Sequence, residues 1–179
     1  MMTEKELVRE FMIGIRSDVF GSLHYLAEDK ILYISGNVVV ISNLISRKQE
    51  FIKCSPNMDE ITGIALSPNR RVIALLERNE EKGIVTLYDS IHLRKTKVLY
   101  DEKQPIKKIN HISFSNDSKS CVVLGNEPES YLTVWNIEKK ATEIIASMKL
   151  GTPANEKKKL HGADFSPEGR NVKSMSVMH

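Results

Sequence analysis

The side chains best suited to catalysis or metal binding are five histidines and two cysteines. The histidines show none of the spacings that metal sites use: His24, His92, His111, His161 and His179. His111 occupies the same place as Gly162 in a repeated segment described below, which indicates a structural role. Cys121 lies inside the apolar run SCVVLG, which is typical of a buried thiol, whereas a nucleophilic cysteine needs an exposed thiolate. The sequence therefore predicts neither a metal site nor a catalytic centre, and no enzyme.

Cofactor and nucleic-acid binding have no support in the sequence. The glycines form neither a GxGxxG fingerprint nor a phosphate loop with its lysine, so we expect no cofactor. The single tryptophan, Trp135, fits a hydrophobic core better than a base-stacking surface. The net charge of +3 over 179 residues is small and spread along the chain. We expect protein partners and no nucleic acid.

Targeting and redox signals favour the cytoplasm. The amino-terminal MMTEKELVREF is charged and lacks the apolar core of a signal peptide. No apolar run approaches the roughly 20 residues that cross a bilayer, so no membrane partner is predicted. Cys54 and Cys121 lie in separate repeats, which favours free thiols and a reducing compartment. The hydrophobic content of 41% argues against disorder.

A repeated ten-residue template identifies the elements that position these side chains. The segments ITGIALSPNR, INHISFSNDS and LHGADFSPEG begin at Ile61, Ile109 and Leu160. Each reads as a strand that enters a tight turn, because Pro, Asn and Asp favour turn geometry. The template serines Ser67, Ser115 and Ser166 lie 48 and 51 residues apart. Propeller blades of four strands recur every 40–45 residues or so, and longer loops explain the excess.

Further apolar runs complete each repeat. RVIALLE and KSCVVLG predict buried second strands, GIVTLYDS and SYLTVWNI third strands, and KTKVLY and ATEIIAS outer strands. An earlier unit is represented by ILYISG, NVVVISN and QEFIKC, which read as its last three strands. Four antiparallel strands form a sheet that must stack on its neighbours. The sequence therefore predicts an all-β, incomplete propeller of about three four-stranded antiparallel blades plus the first strand of a fourth.

These units resemble WD repeats. The residues that carry the resemblance are the turn positions Ser67, Pro68, Ser115, Asp117, Ser166 and Pro167, with Tyr88-Asp89 and Trp135-Asn136 in the place of the Trp-Asp pair. The Gly-His pair that usually opens a WD repeat is absent, so the hydrogen-bond tetrad of the family is not carried over intact. The resemblance implies a WD-repeat β-propeller that acts as a scaffold for protein interactions.

A narrower resemblance covers most of residues 10–170. MIGIRSDVFGSLHYL, DKILYISGNVVVIS and ITGIALSPNRRVIAL, in this order, are similar to the amino-terminal region of the cilia- and flagella-associated protein 57 family. That resemblance implies a place in the axoneme of a cilium or flagellum and a scaffold for inner dynein arm assembly or docking. Axonemal dynein and tubulin are then the implied partners. The alternative is a cytosolic WD-repeat adaptor, such as a substrate receptor of a ubiquitin ligase.

The repeats also predict the domain boundaries. We expect an amino-terminal segment at residues 1–20, which in a complete propeller supplies a closing strand, and a partial propeller at residues 21–179. Its blades are expected at about 21–56, 57–104 and 105–150, with the start of a fourth at 158–179. Rings close within 4–8 blades, so we interpret the chain as a fragment or shortened product. Its open blade edges invite self-association.

A basic face is predicted from the placement of the loops. Loops between the first and second strands, and between the third and fourth, emerge on one side of a propeller. These loops carry Arg47, Lys48, Arg70, Arg71, Arg94, Lys95, Lys97, Lys119, Lys139, Lys140 and Arg170. Clustered positive charge accelerates association with an acidic partner. The alternative to a binding face is that Lys and Arg are common in these polar turns only because they keep the turns solvated.

Overall fold

The computed structural model describes residues 11–19, 22–104, 106–126, 129–151, 160–166 and 172–176. Its regular structure is all β in these ranges. The strands are β1 Leu23–Ala27, β2 Lys30–Ser35, β3 Val38–Asn43, β4 Gln49–Lys53, β5 Glu60–Leu66, β6 Val72–Arg78, β7 Gly83–Asp89, β8 Lys95–Leu99, β9 Lys108–Phe114, β10 Ser120–Asn126, β11 Ser130–Asn136, β12 Glu143–Gly151, β13 Leu160–Phe165 and β14 Val172–Ser176. No helix in the described ranges is long and apolar enough to span a bilayer.

The strands form three four-stranded sheets and a hairpin, each in chain order. Strands β1 to β4 form the first blade, β5 to β8 the second and β9 to β12 the third, while β13 and β14 begin a fourth unit. Neighbouring strands pair antiparallel throughout, as in β6 with β7, where Leu75 lies opposite Thr86. The predicted all-β fold of three four-stranded blades with the start of a fourth is confirmed.

The structure contains two strands that were not among the apolar runs predicted from the sequence. The first blade has an inner strand, β1, although only its last three strands were predicted as apolar runs. Leu23 and Tyr25 are 47% and 63% exposed, so the apolar residues of this strand are only partly buried. The fourth unit has a second strand, β14, which pairs with β13, where only one strand was predicted. Backbone hydrogen bonds to an existing strand stabilise β14 despite its modest apolar content.

The hydrophobic core consists of layers between successive blades. Between the first and second blades, side chains such as Leu32 and Val39 pack against Leu75 and Ile73. A second layer joins the second and third blades and includes Leu87, Cys121 and Trp135. A third, smaller layer packs Val122 and Leu124 of the third blade against Ala163 of β13. Because both faces of a central strand are covered, β6 and β10 are almost continuously apolar.

The amino-terminal segment ties the first two blades together in residues 11–19. The Met12 N–H donates to Gln49 Oε1 at 2.7 Å, and Tyr33 Oη donates to the Met12 carbonyl at 3.1 Å. The Arg16 guanidinium reaches the second blade, where it donates to the Ile61 carbonyl at 2.8 Å and pairs with Glu60 at 3.1 Å. The role of residues 1–20 as a closing strand in a complete propeller stays a prediction.

Candidate interaction face

The template serines organise the first turn of their blades. Ser67 is 1% exposed, and its Oγ accepts the Val72 N–H at 2.9 Å and donates to Asn69 Oδ1 at 2.7 Å. The third blade repeats this arrangement: Ser115 Oγ accepts the Ser120 N–H at 3.0 Å and donates to Asp117 Oδ1 at 2.6 Å. The Ser115 hydroxyl lowers the pKa of Asp117. Ser166 is also buried, whereas Pro167 lies outside the described residues.

The fourth position of each turn has a left-handed backbone. Arg70 and Ser118, each three residues after its template serine, have φ values of 58° and 59°. The third copy of the template places Gly169 here in the sequence. A left-handed conformation costs about 1–2 kcal/mol for a residue with a Cβ and little for glycine.

Replacing Arg70 by glycine should therefore stabilise the chain. We expect Arg70→Gly to raise the free energy of unfolding by about 1 kcal/mol. The gain is reduced in part because glycine also has a larger conformational entropy in the unfolded chain. Arg71→Gly is the matched control, because Arg71 is equally exposed and is not among the residues with positive φ. Urea denaturation of the two variants measures the difference. A lower stability for Arg70→Gly than for Arg71→Gly would contradict the strain.

An Asn or Asp closes the turn between the third and fourth strands of every blade. Asp89 Oδ1 accepts the N–H groups of Ile91 and His92 at 2.7 and 3.1 Å, and these bonds lower the pKa of Asp89. Asn136 Oδ1 accepts the Glu138 N–H at 3.0 Å. Asn43 does the same for Ile45 and Ser46, at 3.0 and 2.7 Å. Asn43 was missed in the sequence because Ser42, rather than an aromatic residue, precedes it.

Contacts between turns join them into one surface. In the second blade, the Ser90 N–H donates to the Arg71 carbonyl at 3.0 Å, and in the third the Ile137 N–H donates to the Lys119 carbonyl at 2.9 Å. The Asn69 N–H reaches Ser118 Oγ of the next blade at 3.2 Å. We call the surface formed by the turns between first and second strands and between third and fourth strands the turn face.

The structure divides the basic residues of the turn face into two groups. In the first, Lys97 donates to the Ile137 carbonyl at 2.6 Å, while Lys119 pairs with Glu138 at 2.8 Å and Lys139 with Glu143 at 2.6 Å. The second group is exposed and forms no ion pair with another described residue: Arg47, Lys48, Arg70, Arg71, Arg94, Lys95 and Lys140. Arg170 lies outside the described residues. The uncompensated charge is thus concentrated on the first two blades.

The aromatic residues at the Trp-Asp positions are core residues. Tyr88 is 8% exposed and packs in the layer between the first and second blades, while Trp135 is 6% exposed in the next layer. Burial raises the pKa of Tyr88, and the nearby Glu77 charge adds to the rise. Both rings are therefore enclosed by core residues and are not exposed on the turn face.

A buried carboxylate links the first blade's exit to the second blade. Glu77 of β6 is fully buried, and its Oε1 accepts the Ser55 N–H at 2.6 Å. Its Oε2 accepts the Ser55 hydroxyl at 3.0 Å and the hydroxyl of Thr86. Sequence reasoning missed this group, although a charged residue inside the apolar run RVIALLE was a visible signal. The third blade has Gly125 at the equivalent position, where the Ile106 side chain fills the space.

The inner strands of the third blade and fourth unit are joined by a histidine. His111 Nδ1 accepts the Ala163 N–H at 3.3 Å, and the His111 ring lies close to Gly162. Among the described residues, no group of three or more His, Cys, Asp or Glu side chains could hold a metal ion. The His111 ring thus forms a contact between the third blade and the fourth unit.

Both cysteines are free thiols with raised pKa values. Burial raises the pKa of Cys121 to about 12. Burial and the charge of Glu77 raise the pKa of Cys54 to about 11. A thiolate is the reactive form, so both thiols are chemically quiet in the folded chain near neutral pH.

Thiol labelling should consequently report unfolding. We expect an aromatic disulfide reagent at pH 8 to modify both cysteines slowly in buffer and rapidly in urea. Because both thiols hold their protons more tightly when folded, stability should fall as the pH rises from the ordinary thiol pKa of about 9 toward 11–12. Fast labelling of two thiols in native buffer, with the far-ultraviolet circular dichroism of a folded chain, would contradict the raised thiol pKa values.

Comparisons with known proteins identify relatives that match up to 80% of the chain. No family model matches it. The chain is 34% identical over 146 residues to cilia- and flagella-associated protein 57 of Mus musculus, which covers 80% of the chain and 12% of that protein. It is 38% identical over 87 residues to cilia- and flagella-associated protein 57 A of Tetrahymena thermophila, which covers 47% of the chain and 7% of that protein. The chain thus spans a small part of the length of these relatives.

A solved structure supports the fold independently. A chain in the crystal structure of the mitotic checkpoint complex superimposes with a TM-score of 0.62, and the match covers 87% of this chain and 47% of that one. The two sequences are 16% identical, so the likeness concerns the fold alone. Together with the sequence relatives it confirms the resemblance to WD-repeat propellers of the cilia- and flagella-associated type.

Proposed function

We propose that the chain is a noncatalytic scaffold for protein interactions in the cilium. The reasons are that it is homologous to cilia- and flagella-associated protein 57 and that it has the WD-repeat propeller fold. The observation that carries this proposal is the 34% identity over 80% of the chain. The layers between blades and the buried turn serines supply a rigid frame. A rigid frame holds partner-binding turns in fixed positions, which lowers the entropic cost of association.

The turn face is the surface that we propose for the partner. Apart from Lys140, its uncompensated cations lie on the first and second blades, with Arg70, Arg71, Arg94 and Lys95 on the second blade alone. Such a surface favours an acidic protein and increases the rate of association at low ionic strength. In a ciliary setting we propose tubulin or axonemal dynein as that protein, and inner dynein arm assembly or docking as the process.

Cell fractionation tests the location. Isolated cilia and deciliated cell bodies are immunoblotted with an antibody raised against residues 95–150, alongside an axonemal and a cell-body marker. We expect the signal to follow the axonemal marker. A signal confined to the cell bodies, with recovery of ubiquitin-ligase subunits by the same antibody, would overturn the proposal in favour of a cytosolic adaptor.

We also propose that the chain self-associates through its unpaired blade surfaces. Leu23 and Tyr25 of the first blade are 47% and 63% exposed, and Met148 of the third blade is 54% exposed. Exposed apolar sheet surfaces of this kind promote association between chains. Size-exclusion chromatography with light scattering should show a mass that increases with concentration. A single monomeric mass across the same concentrations would contradict the self-association.

A further inference from the structure

We infer that the turn face binds an acidic protein segment that also carries apolar side chains, at Leu44, Ile45 and Ile91 with Arg47, Lys48 and Arg94. We call these six residues the amphipathic patch. The inference rests on the proposed function, which it narrows to one place on the turn face and one class of partner. The patch combines apolar and basic groups, so charge alone does not define its ligand.

Exposed apolar residues in tight turns set this patch apart. Ile45 is 82% exposed, Ile91 71% and Leu44 50%. Polar residues and glycine dominate such turns, and an isoleucine gains nothing there from folding. A single exposed isoleucine is ordinary, but a group of apolar side chains rimmed by polar residues marks an interaction site.

The two turns present the same chemistry at equivalent positions. Ile45 and Ile91 each lie two residues after the turn-closing residue, Asn43 or Asp89, and donate their N–H groups to its Oδ1. Lys48 and Arg94 each lie five residues after it. The third blade departs from this pattern, with Glu138 and Ala141 at the two positions. The patch is therefore a property of the first two blades.

The two turns occupy equivalent positions in neighbouring blades. Both turns join the third and fourth strands at the same end of their sheets. Leu93 packs into the core layer between the first and second blades, which holds the second turn at that seam. A partner segment that crosses the seam between the two blades can contact Ile45 and Ile91 together.

The charges around the patch select an acidic ligand. Residues 44–48 contain no acid, and the Asp89 carboxylate, although it keeps its charge, directs its Oδ1 at the N–H groups of its own turn. In the neighbouring turn, Asp29 accepts a bond from the Asn43 side chain at 2.5 Å, which leaves Glu28 as the exposed acid there. Three cations thus face an incoming ligand. The apolar side chains lie on separate turns of rigid sheets, unlike the continuous face of a membrane-binding helix, so we favour a protein segment over a lipid surface.

A binding assay with the full chain tests the patch. The probe is a fluorescein-labelled peptide of four Glu-Glu-Leu-Leu repeats, and the comparison peptide has four Glu-Glu-Ser-Ser repeats. We expect the first peptide to bind more tightly by at least about tenfold, because burying part of several apolar side chains is worth that factor. The double variant Ile45→Ser with Ile91→Ser should lose this preference. The variant Arg47→Glu, Lys48→Glu and Arg94→Glu should bind neither peptide and lose the dependence on salt.

The control variant combines Ile145→Ser with Lys103→Glu, which alters an exposed isoleucine of the third blade and an exposed lysine outside the turn face. It should bind like the unaltered chain, and all variants should keep the same melting temperature. Equal binding of both peptides, unchanged binding by the patch variants, or binding only to phosphatidylserine vesicles would overturn the inference. The chain could still be found in cilia by fractionation in each of those cases, so failure of the patch and failure of the ciliary proposal are distinguishable.

Discussion

Replacing Glu77 by alanine should destabilise the chain by about 3 kcal/mol or more. The change leaves a buried N–H and two buried hydroxyls, from Ser55 and Thr86, without their acceptor. Each buried polar group without a partner costs about 1–3 kcal/mol. The contact also joins the exit of the first blade to the centre of the second, so its loss should reduce the cooperativity between blades. Urea denaturation followed by circular dichroism measures both effects.

Two further variants separate the hydrogen bonds from the charge. Glu77→Gln keeps the shape and one acceptor oxygen, and we expect it to cost clearly less than Glu77→Ala. Glu80→Ala, at an exposed carboxylate that forms no ion pair with another described residue, should stay within about 0.5 kcal/mol of the unaltered chain. The account of Glu77 is wrong if the alanine variants at positions 77 and 80 unfold at the same urea concentration.

Replacing Trp135 by alanine should cost about 3–5 kcal/mol. The indole is 6% exposed and packs in the core layer between the second and third blades with Leu87 and Cys121. Its removal leaves a large cavity in a layer that cannot close without moving a whole blade. Denaturant unfolding of the variant gives the loss directly, and labelling of Cys121 in native buffer should become faster.

The aromatic controls test whether Trp135 acts through packing. Trp135→Phe refills most of the space and should recover much of the stability. Tyr25→Ala removes an aromatic ring that is 63% exposed and should change stability by less than about 0.5 kcal/mol. A Trp135→Ala variant with unaltered stability but lost partner binding would contradict the core role and place the residue on a binding surface.

The repeat architecture was predictable because its signals are local. A strand that enters a Ser-Pro-Asn or Ser-Asn-Asp turn recurs around Ser67 and Ser115, and the structure shows why: the serine hydroxyl holds the turn through bonds within five residues. The continuously apolar second strands also follow from burial on both faces. Strand β1 was not predicted as an apolar run because its exposed face carries Leu23 and Tyr25, which break the expected alternation.

The parts that the sequence did not reveal depend on contacts between distant segments. Glu77 meets Ser55 across 22 residues, and its place in an apolar run does not reveal this buried partner. Likewise, the basic loops could be placed on one face, but the pairing of Lys119 with Glu138 depends on which turns touch. The equivalence of Ile45 and Ile91 became visible only when Asn43 was recognised as a turn-closing residue. The blades were therefore predictable from local sequence patterns. The site was not, because it depends on contacts between residues that are distant in the sequence.

Proximity labelling in ciliated cells tests the central claim, that the turn face holds the partners of a ciliary scaffold. The full chain is fused to a biotin ligase and compared with the Arg47→Glu, Lys48→Glu and Arg94→Glu variant and with Lys103→Glu, which alters an exposed lysine outside the turn face. We predict that the unaltered chain and Lys103→Glu label axonemal proteins and that the triple variant loses this set while remaining folded. An identical labelled set for all three chains, or a set of ubiquitin-ligase subunits from the cell body, would contradict the account.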